Sequence, residues 1–225
     1  MLRVRRVVSS SLAVVLLTLG ALSEPALAQD PVRLGPYVID VRGALPRFGQ
    51  NEFLAAQRGL DTLQLPASGL GLDVGAHVYP LRWRAVTFGV GVQALFSRGE
   101  RVPTLEELEA LGRTTAEDPL APIQTRFTSI GPQLSLNFGG ATGWSYLSGG
   151  LGQTTFNVDP VGVERNDHRF SAINYGGGGR WFAKDRLAFS LDLRFYAISP
   201  QEEIDDFPGL PRMALMVFSL GVSFK

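Results

Sequence analysis

Two histidines and no cysteine limit the chemistry available to this chain of 225 residues. The lack of cysteine excludes thiolate metal sites, disulfides and cysteine nucleophiles, and two isolated histidines do not form a metal cluster with ligand spacing. His168 and Ser171 are three positions apart, so they fall on opposite faces of a strand and cannot act together as base and nucleophile. No helix start follows Gly176–Gly179, which therefore does not form a phosphate-binding loop. We expect no catalytic residue, no metal site and no cofactor.

Charged side chains are the second set of residues that could take part in chemistry. They recur on one face of otherwise apolar stretches. Such charges need water or each other, so strands that close into a barrel would gather them in the lumen. Asp40 and Arg42 on the first strand are expected to face Asp192 and Arg194 on the seventh. The eighth strand, which lies between them, has only small residues on its lumenal face. Packing and charge compensation explain such a network, and a gated pore is the functional alternative. We predict a lumenal polar network of Asp40, Arg42, Asp73, His77, Arg180, Asp192 and Arg194.

The elements that must hold these charges are eight stretches in which apolar side chains alternate with polar or small ones. Short turns join the second stretch to the third, the fourth to the fifth and the sixth to the seventh, whereas the other connections are much longer. Short turns at one end and long loops at the other are the plan of an up-and-down transmembrane barrel. The predicted fold class is all-β, an eight-stranded antiparallel up-and-down transmembrane β-barrel. Its strands are predicted near 34–45, 70–81, 84–96, 124–138, 143–156, 168–182, 186–198 and 212–225.

The polar face of these strands decides which side is outward. A soluble barrel turns its apolar face inward around a ligand and covers its exterior with Lys and Glu, yet the polar face here has neither across seven strands. Aromatic residues also gather at the short turns, as they do at a membrane interface. The apolar face should therefore meet lipid, with the short turns and both termini on the periplasmic side. The predicted periplasmic aromatic girdle is Trp83, Phe138, Trp144, Trp181 and Phe224.

The first 28 residues have the pattern of a secretory signal peptide. Basic residues near the start precede the apolar run Leu12–Leu22, and Ala26–Ala28 is a small-x-small cleavage site. A membrane anchor is the alternative, but the run is shorter than the roughly 20 residues that a spanning helix needs. We predict a signal peptide over 1–28 and an outer-membrane β-barrel domain over 29–225. Basic and acidic residues balance at 21 each, so no nucleic-acid partner is expected.

Two stretches carry a resemblance to a known family. Asn174–Tyr196 joins a glycine-rich strand through a tight turn to a Leu-Asp-Leu-Arg-aromatic strand, and it resembles small outer-membrane β-barrel proteins similar to the OmpA membrane domain. The C-terminal stretch resembles the assembly signal of that family, although Lys225 follows the final aromatic residue. The resemblance implies the cell outer membrane as the location, outer-membrane lipid as surroundings, and insertion by the outer-membrane assembly machinery. The implied C-terminal assembly signal is Phe218, Leu220, Val222 and Phe224.

The resembled family includes structural proteins, adhesins, small pores and lipid-modifying enzymes, so the shared fold does not choose a function. Its lipid A deacylases use a His-x-Ser pattern, which neither histidine of this chain matches. We therefore predict that the protein is not an enzyme and has a structural or surface-interaction role, with its interior closed and long extracellular loops exposed. A narrow channel for small solutes or ions is one alternative, and a soluble periplasmic lipid-binding barrel is the other.

The long loops contain three local patterns. Thr104 and Glu107 form a capping box that predicts a short helix ending at Gly112. Asn51–Gly59 has a similar helix start residue and a similar terminal glycine. The run of four acids in Gln201–Asp206 favours a solvated loop, with a divalent cation between lipopolysaccharide phosphates as the alternative. None of these patterns identifies an extracellular partner.

Overall fold

Eight antiparallel strands form a closed barrel in which β1 pairs with β8. The computed structural model describes residues 34–110, 112, 122–163, 168–203 and 208–225, so the predicted signal peptide and part of the acidic run lie outside the described residues. The closed barrel confirms the predicted fold class. The strands are β1 Tyr37–Arg47, β2 Leu70–Trp83, β3 Val86–Arg101, β4 Ile123–Gly140, β5 Gly143–Pro160, β6 Phe170–Lys184, β7 Leu187–Ile198 and β8 Met213–Phe224.

The connections alternate in length as predicted. Tight turns at 84–85, 141–142 and 185–186 lie at one end of the barrel. The described parts of segments 48–69, 102–122, 161–169 and 199–212 lie at the other. The first long segment contains helix α1, Glu52–Ala56, and a 3-10 helix, Thr62–Gln64, and the second contains helix α2, Leu105–Ala110. Among the described residues, no helix is long and apolar enough to span a membrane.

Side-chain alternation gives the strands two different faces. Along β1, Val38, Asp40 and Arg42 are buried, whereas Ile39 and Val41 are exposed. The same alternation along the other strands produces a continuous exposed apolar band. A band of this size on the outside of a closed barrel is typical of contact with lipid. The band includes Leu72, Val78, Val90, Val92, Leu134, Leu136, Leu147, Leu151, Ile173, Phe189, Leu193, Phe218 and Leu220.

The polarity of the two faces reverses toward the long loops, although the same alternate positions continue to point into the lumen. In β4, lumenal Ser129 is followed toward that end by the fully buried Phe127, while the exposed Ile130 on the outer face gives way to Thr128 and Arg126. In β3, lumenal Gln93 is likewise followed by the buried Leu95. We call the part with a polar lumen and an apolar exterior the turn half, and the part with an apolar lumen and a polar exterior the loop half. The reversal is offset by about one pair between these strands, because Leu95 pairs with Ser129 and the exposed Phe96 pairs with Thr128.

Candidate functional site

The turn half contains a buried ion pair that joins opposite parts of the wall. Arg180 of β6 donates two hydrogen bonds to the Asp40 carboxylate of β1, at 2.8 and 2.6 Å. Ser223 of β8 donates a third hydrogen bond to the same carboxylate, at 2.5 Å. The Arg180 guanidinium also lies over the ring of Tyr146, 4.1 Å from its centroid. Two fork hydrogen bonds fix the geometry of this pair more firmly than a single contact could.

A second cluster is linked through the hydroxyl of Tyr146. Arg42 donates to Asp73 at 3.0 Å and to the Tyr146 hydroxyl at 2.8 Å. Tyr146 in turn donates to Asp192 at 2.7 Å. Arg194 donates to both oxygens of the Asp192 carboxylate, from Nε and from Nη2, each at 3.1 Å. A single phenol therefore links the Arg42–Asp73 pair to the Asp192–Arg194 pair by hydrogen bonds.

Amide and hydroxyl groups complete this cluster. Arg194 donates to Asn174 at 2.8 Å, to Ser148 at 2.7 Å and to Gln133 at 3.1 Å. Gln93 donates to Asp73 at 2.7 Å. Buried charges are stabilised only when their remaining donors and acceptors are satisfied, and these neutral groups provide that satisfaction.

All seven side chains that the sequence placed in the network lie in the lumen and are buried. Their pairing differs from the expectation, because Asp40 pairs with Arg180 and Arg42 pairs with Asp73 rather than with Asp192 or Arg194. Three arginines and three aspartates balance formally. His77 lies apart from this balance, with Nδ1 4.0 Å from Asp40 and neither ring nitrogen hydrogen-bonded within the described residues. A neutral imidazole fits this charge count.

An aromatic floor closes the lumen below the ionic layer. Trp144 stacks on Phe182 with ring centroids 5.1 Å apart, and Tyr79 meets Trp144 edge to face at 6.0 Å. The prediction that Trp144 belongs to the outer girdle is therefore wrong, since its side chain is only 3% exposed. Trp144 shares the lumenal phase of β5 with Tyr146, and nearness to a tight turn does not change that phase.

Lys225 completes the floor from the end of the chain. Its ammonium group donates to the carbonyl oxygen of Ala141 at 2.6 Å and lies 3.9 Å from the ring centroid of Phe182. Burial lowers the pKa of this ammonium group, and the nearby Asp185 carboxylate opposes the shift. The residue that departs from the family's C-terminal pattern thus joins the last strand to the turn between β4 and β5.

The remaining predicted girdle residues lie on the outer surface at the tight-turn end. Trp83, Phe138, Trp181 and Phe224 are all exposed there, so an interfacial role for them stays a prediction. The C-terminal residues Phe218, Leu220 and Phe224 are also exposed on the outer face, and Val222 on the same face is half-buried. Their action as an assembly signal is a separate prediction that the fold leaves open.

An apolar cap fills the loop half. Leu54 of α1 and Leu65 pack inside the barrel mouth against lumenal residues that include Phe127, Phe156 and Leu215. Phe127 meets Tyr196 edge to face, with ring centroids 5.2 Å apart. The Asn51 side chain caps α1 by accepting a hydrogen bond from the Leu54 amide at 3.0 Å. The first long segment therefore folds into the barrel as a plug.

Arg58 ties this plug to the last long segment. It donates to the carbonyl oxygens of Leu54 at 3.3 Å and Gly209 at 3.2 Å. Burial lowers the pKa of its guanidinium, and the Asp159 carboxylate opposes that shift. The contact holds two loops together above the apolar cap.

The second long segment contains the other predicted helix. Thr104 and Glu107 exchange hydrogen bonds, with the Thr104 amide donating at 3.0 Å and the Glu107 amide donating at 3.3 Å. Among the described residues, no group of three or more His, Cys, Asp or Glu side chains could hold a metal ion.

The sequence favours loop helices that plug the barrel mouth, but the apolar lumenal side chains beneath them and the bridging role of Tyr146 were missed. The cap had a signal, because Phe127 and Phe156 occupy lumenal positions of their strands by simple alternation. Tyr146 had a weaker one, since it shares the lumenal phase of β5 with Ser148. Its two partners come from β1 and β7, which no local pattern connects.

Comparison with known proteins gives a likeness of fold. No family model and no curated protein matches the sequence. Neisserial surface protein A, NspA, is 12% identical with a TM-score of 0.53, covering 84% of this chain and 96% of that chain. Ail, the attachment invasion locus protein of Yersinia pestis solved with the heparin analogue sucrose octasulfate, is 11% identical with a TM-score of 0.50, covering 85% and 99%. The outer membrane enzyme PagL matches with 14% identity and a TM-score of 0.44, covering 84% and 98%.

These structures are small outer-membrane barrels, as the resemblance in the sequence implied. At this level of identity they establish architecture and carry no residue role or activity across. The prediction that this chain is not an enzyme accordingly stays a prediction. The apolar exterior and charged lumen of the turn half, together with the alternating lengths of the connections, agree with that architecture. The chain is a transmembrane β-barrel with the fold of the small eight-stranded outer-membrane proteins.

Proposed function

We propose that this protein is a closed outer-membrane barrel whose role is structural or is exerted by its extracellular surface. One observation carries the proposal: the lumen is occupied at three successive levels. The aromatic floor around Trp144, the ionic layer around Arg180 and the apolar cap around Phe127 lie one above another. Eight strands leave an interior just wide enough for side chains, so these layers leave little room for a solute.

The narrow channel and the lipid carrier make different demands on the lumen. A channel needs a continuous wet path, but Phe127, Leu215 and Leu54 are buried in the apolar cap. A lipid carrier needs an apolar cavity behind a polar exterior, whereas the turn half has the opposite arrangement. These features support a closed barrel over both alternatives.

Exposed apolar side chains on the long segments support a role for the extracellular surface. Phe53, Val102, Val161 and Val163 are exposed at the loop end, beyond the apolar band. Exposed apolar side chains at loop tips favour contact with another surface. The segment that carries Phe53 packs on the apolar cap through the neighbouring Leu54 and Ala55.

Planar-bilayer recording tests the closed barrel. Purified wild-type protein is expected to give no conductance steps, with a larger porin in the same bilayer as the positive control. Steps of uniform size that require the protein would contradict the proposal and favour the narrow channel.

The absence of cysteine provides a clean test of orientation. Val163→Cys, on a long segment, should react with a membrane-impermeant maleimide on intact cells, whereas Arg84→Cys, on a tight turn, should react only after the cells are opened. Reaction of Arg84→Cys on intact cells would reverse the orientation.

Deletion and rescue separate the two forms of the role. If the role is structural, loss of the gene should sensitise cells to detergent, and a variant with serine at the four exposed apolar positions should restore resistance. If the surface acts on a partner, only the wild-type chain should restore the lost phenotype.

A further inference from the structure

A groove of about 630 Å³ lies on the outer wall at the base of the first long segment. It opens just above the level at which the exterior changes from apolar to polar. Small residues form its floor, because Ser68, Gly69 and Gly99 leave room between the flanking side chains. The groove is lined by Leu45, Pro46, Arg47, Ser68, Gly69, Leu70, Arg98, Gly99 and Glu100.

Two guanidinium groups flank this groove. Arg47 ends β1 and forms a bridge with Ser68, while Arg98 of β3 pairs with Leu70. The Arg47 side chain is exposed, and its guanidinium makes no hydrogen bond or ion pair within the described part of the chain. Arg98 is exposed too, and its contact with Glu100 at 2.8 Å occupies one of its nitrogens. Since a guanidinium has five N–H donors, most of its donors remain available.

The charge around the groove favours an anion. Arg126 lies directly opposite Arg98 in the pairing of β3 and β4. Arg126 interacts with the Asp159 carboxylate and does not line the groove, so Arg47 and Arg98 are the cationic side chains that line it. A phosphate group suits two guanidinium groups better than a carboxylate does, because it offers more acceptor oxygens.

The surroundings of the arginines indicate the rest of the ligand. Leu45 lies two residues nearer the membrane than Arg47 on β1, and Leu70 lies beside Arg98 in the pairing of β2 and β3. Both leucines are exposed, which suits an acyl chain. Glu100 disfavours a bare anion but accepts hydrogen bonds from hydroxyl groups, as Ser68 also does. A headgroup that combines phosphate with sugar hydroxyls satisfies both features, and a simple phospholipid headgroup satisfies fewer of them.

We propose that the groove between Arg47 and Arg98 binds the phosphorylated sugar headgroup of a glycolipid in the outer leaflet. The phosphate lies between the two guanidinium groups, the sugar hydroxyls meet Glu100 and Ser68, and the acyl chains run down over Leu45 and Leu70. This inference rests on the proposed outer-membrane location and on the orientation that places the long segments outside.

Lipid retention measured by native mass spectrometry tests the groove. The wild-type protein is reconstituted in phosphatidylcholine nanodiscs that contain lipid A with two phosphates, and is then released into mild detergent. We expect lipid A to stay bound at about one molecule per barrel. Arg47→Gln/Arg98→Gln should lower retention by about tenfold or more, because it removes charge-assisted hydrogen bonds to phosphate. Arg169→Gln/Arg212→Gln removes the same charge at the same end and should retain lipid A like the wild type.

Three further measurements test which chemical features of the groove and of the lipid are needed for retention. Arg47→Lys/Arg98→Lys should retain an intermediate amount, because the charge stays and the fork geometry is lost. Dephosphorylated lipid A should be lost from the wild-type protein, an arm that needs no variant to fold. Phosphatidylglycerol should be retained about tenfold less than lipid A. Equal retention of phosphatidylglycerol, of dephosphorylated lipid A, or of lipid A by the glutamine variant would overturn the proposal, as would an equal loss in the control variant.

These outcomes are independent of the proposed function. A conducting barrel could still retain lipid A in its outer groove, and a closed barrel could fail to retain it. Heat-modifiable migration on a denaturing gel checks that each variant forms a barrel before its bound lipid is measured.

Discussion

The turn half and the loop half of this barrel solve the same packing problem with opposite chemistry. In the turn half, lipid surrounds the wall, so charged side chains such as Asp40 and Arg180 are gathered inside and paired. In the loop half, polar side chains such as Arg98 face outward, and Phe127 and Leu215 fill the inside. The same alternate positions of each strand point inward in both halves, so the surrounding solvent selects the kind of side chain at those positions rather than the face that turns inward. The loop half has an apolar interior and a polar exterior, as a soluble protein does. The turn half has the opposite arrangement, with a polar interior and an apolar exterior.

The largest expected effect tests the ionic layer. Arg180→Met should lower the free energy of unfolding by about 3–5 kcal/mol, because it leaves the Asp40 carboxylate buried without its main partner. Adding Asp40→Asn to the same chain should restore a large part of that loss, since no unpaired charge then remains. Urea unfolding in lipid vesicles, followed by gel migration, measures both. A double variant less stable than the single one would show that the pair is not coupled.

The next effect tests whether the loop half is a true core. Leu215→Ala should cost about 2–5 kcal/mol, because a rigid packed interior leaves a cavity. Leu220→Ala, on the lipid-facing side of the same strand, should cost less than about 1 kcal/mol, since lipid chains fill the space and the cavity term is absent. The same unfolding assay measures both. Equal costs at the two positions would remove the distinction between the halves.

The boundary between the halves can be mapped along the outer face of β4. Leu134→Arg should cost about 2–4 kcal/mol because it places a charge in the middle of the apolar band. Thr128→Arg, six residues nearer the long loops, should cost only about 0–1 kcal/mol because it lies at the interface. Vesicle insertion yield and unfolding free energy check both variants. A large cost at Thr128 would place the boundary closer to the loops.

The smallest effect concerns the plug alone. Asn51→Ala should weaken α1 by about 1 kcal/mol, because it removes the hydrogen bond that caps the Leu54 amide. Asn51→Asp keeps a capping oxygen and should behave like the wild type. Hydrogen exchange should quicken at α1 in the alanine variant while the exchange of β-strand amides stays the same. Faster exchange throughout the barrel would mean that the plug and the barrel unfold together.

The faces of the strands could be predicted from sequence because alternation is a local property. Arg186–Ile198 displays it in full, and Asp192 and Arg194 emerge on the lumenal face in the structure as predicted. The tight turns could be predicted equally well, since only a few residues separate the alternating pattern of one strand from that of the next. Both features depend on neighbours in the chain rather than on contacts across the lumen.

The partners across the lumen could not be predicted in the same way. Asp40 and Arg180 are 140 residues apart and meet only because the closed barrel brings β1 and β6 opposite each other. The stagger of the strands sets which charge meets which, and side-chain types do not reveal it. Trp144 shows a second limit of prediction from sequence. An aromatic residue beside a tight turn is compatible with the aromatic floor inside the lumen as well as with the girdle on the outer surface.

The reversal of side-chain polarity along the strands also fixes the hydrophobic thickness of the barrel. Between Phe138 at the tight-turn rim and Ile130 below the reversal, the apolar outer face of β4 spans eight residue steps. At about 3.3 Å per residue and a strand tilt of about 40°, this corresponds to a hydrophobic thickness of roughly 20 Å. A bilayer much thicker than this would expose Thr128 and Arg126 to acyl chains or would have to thin around the protein. Hydrophobic mismatch therefore gives the barrel a preference for thin membranes, which makes the length of its strands a means of sorting.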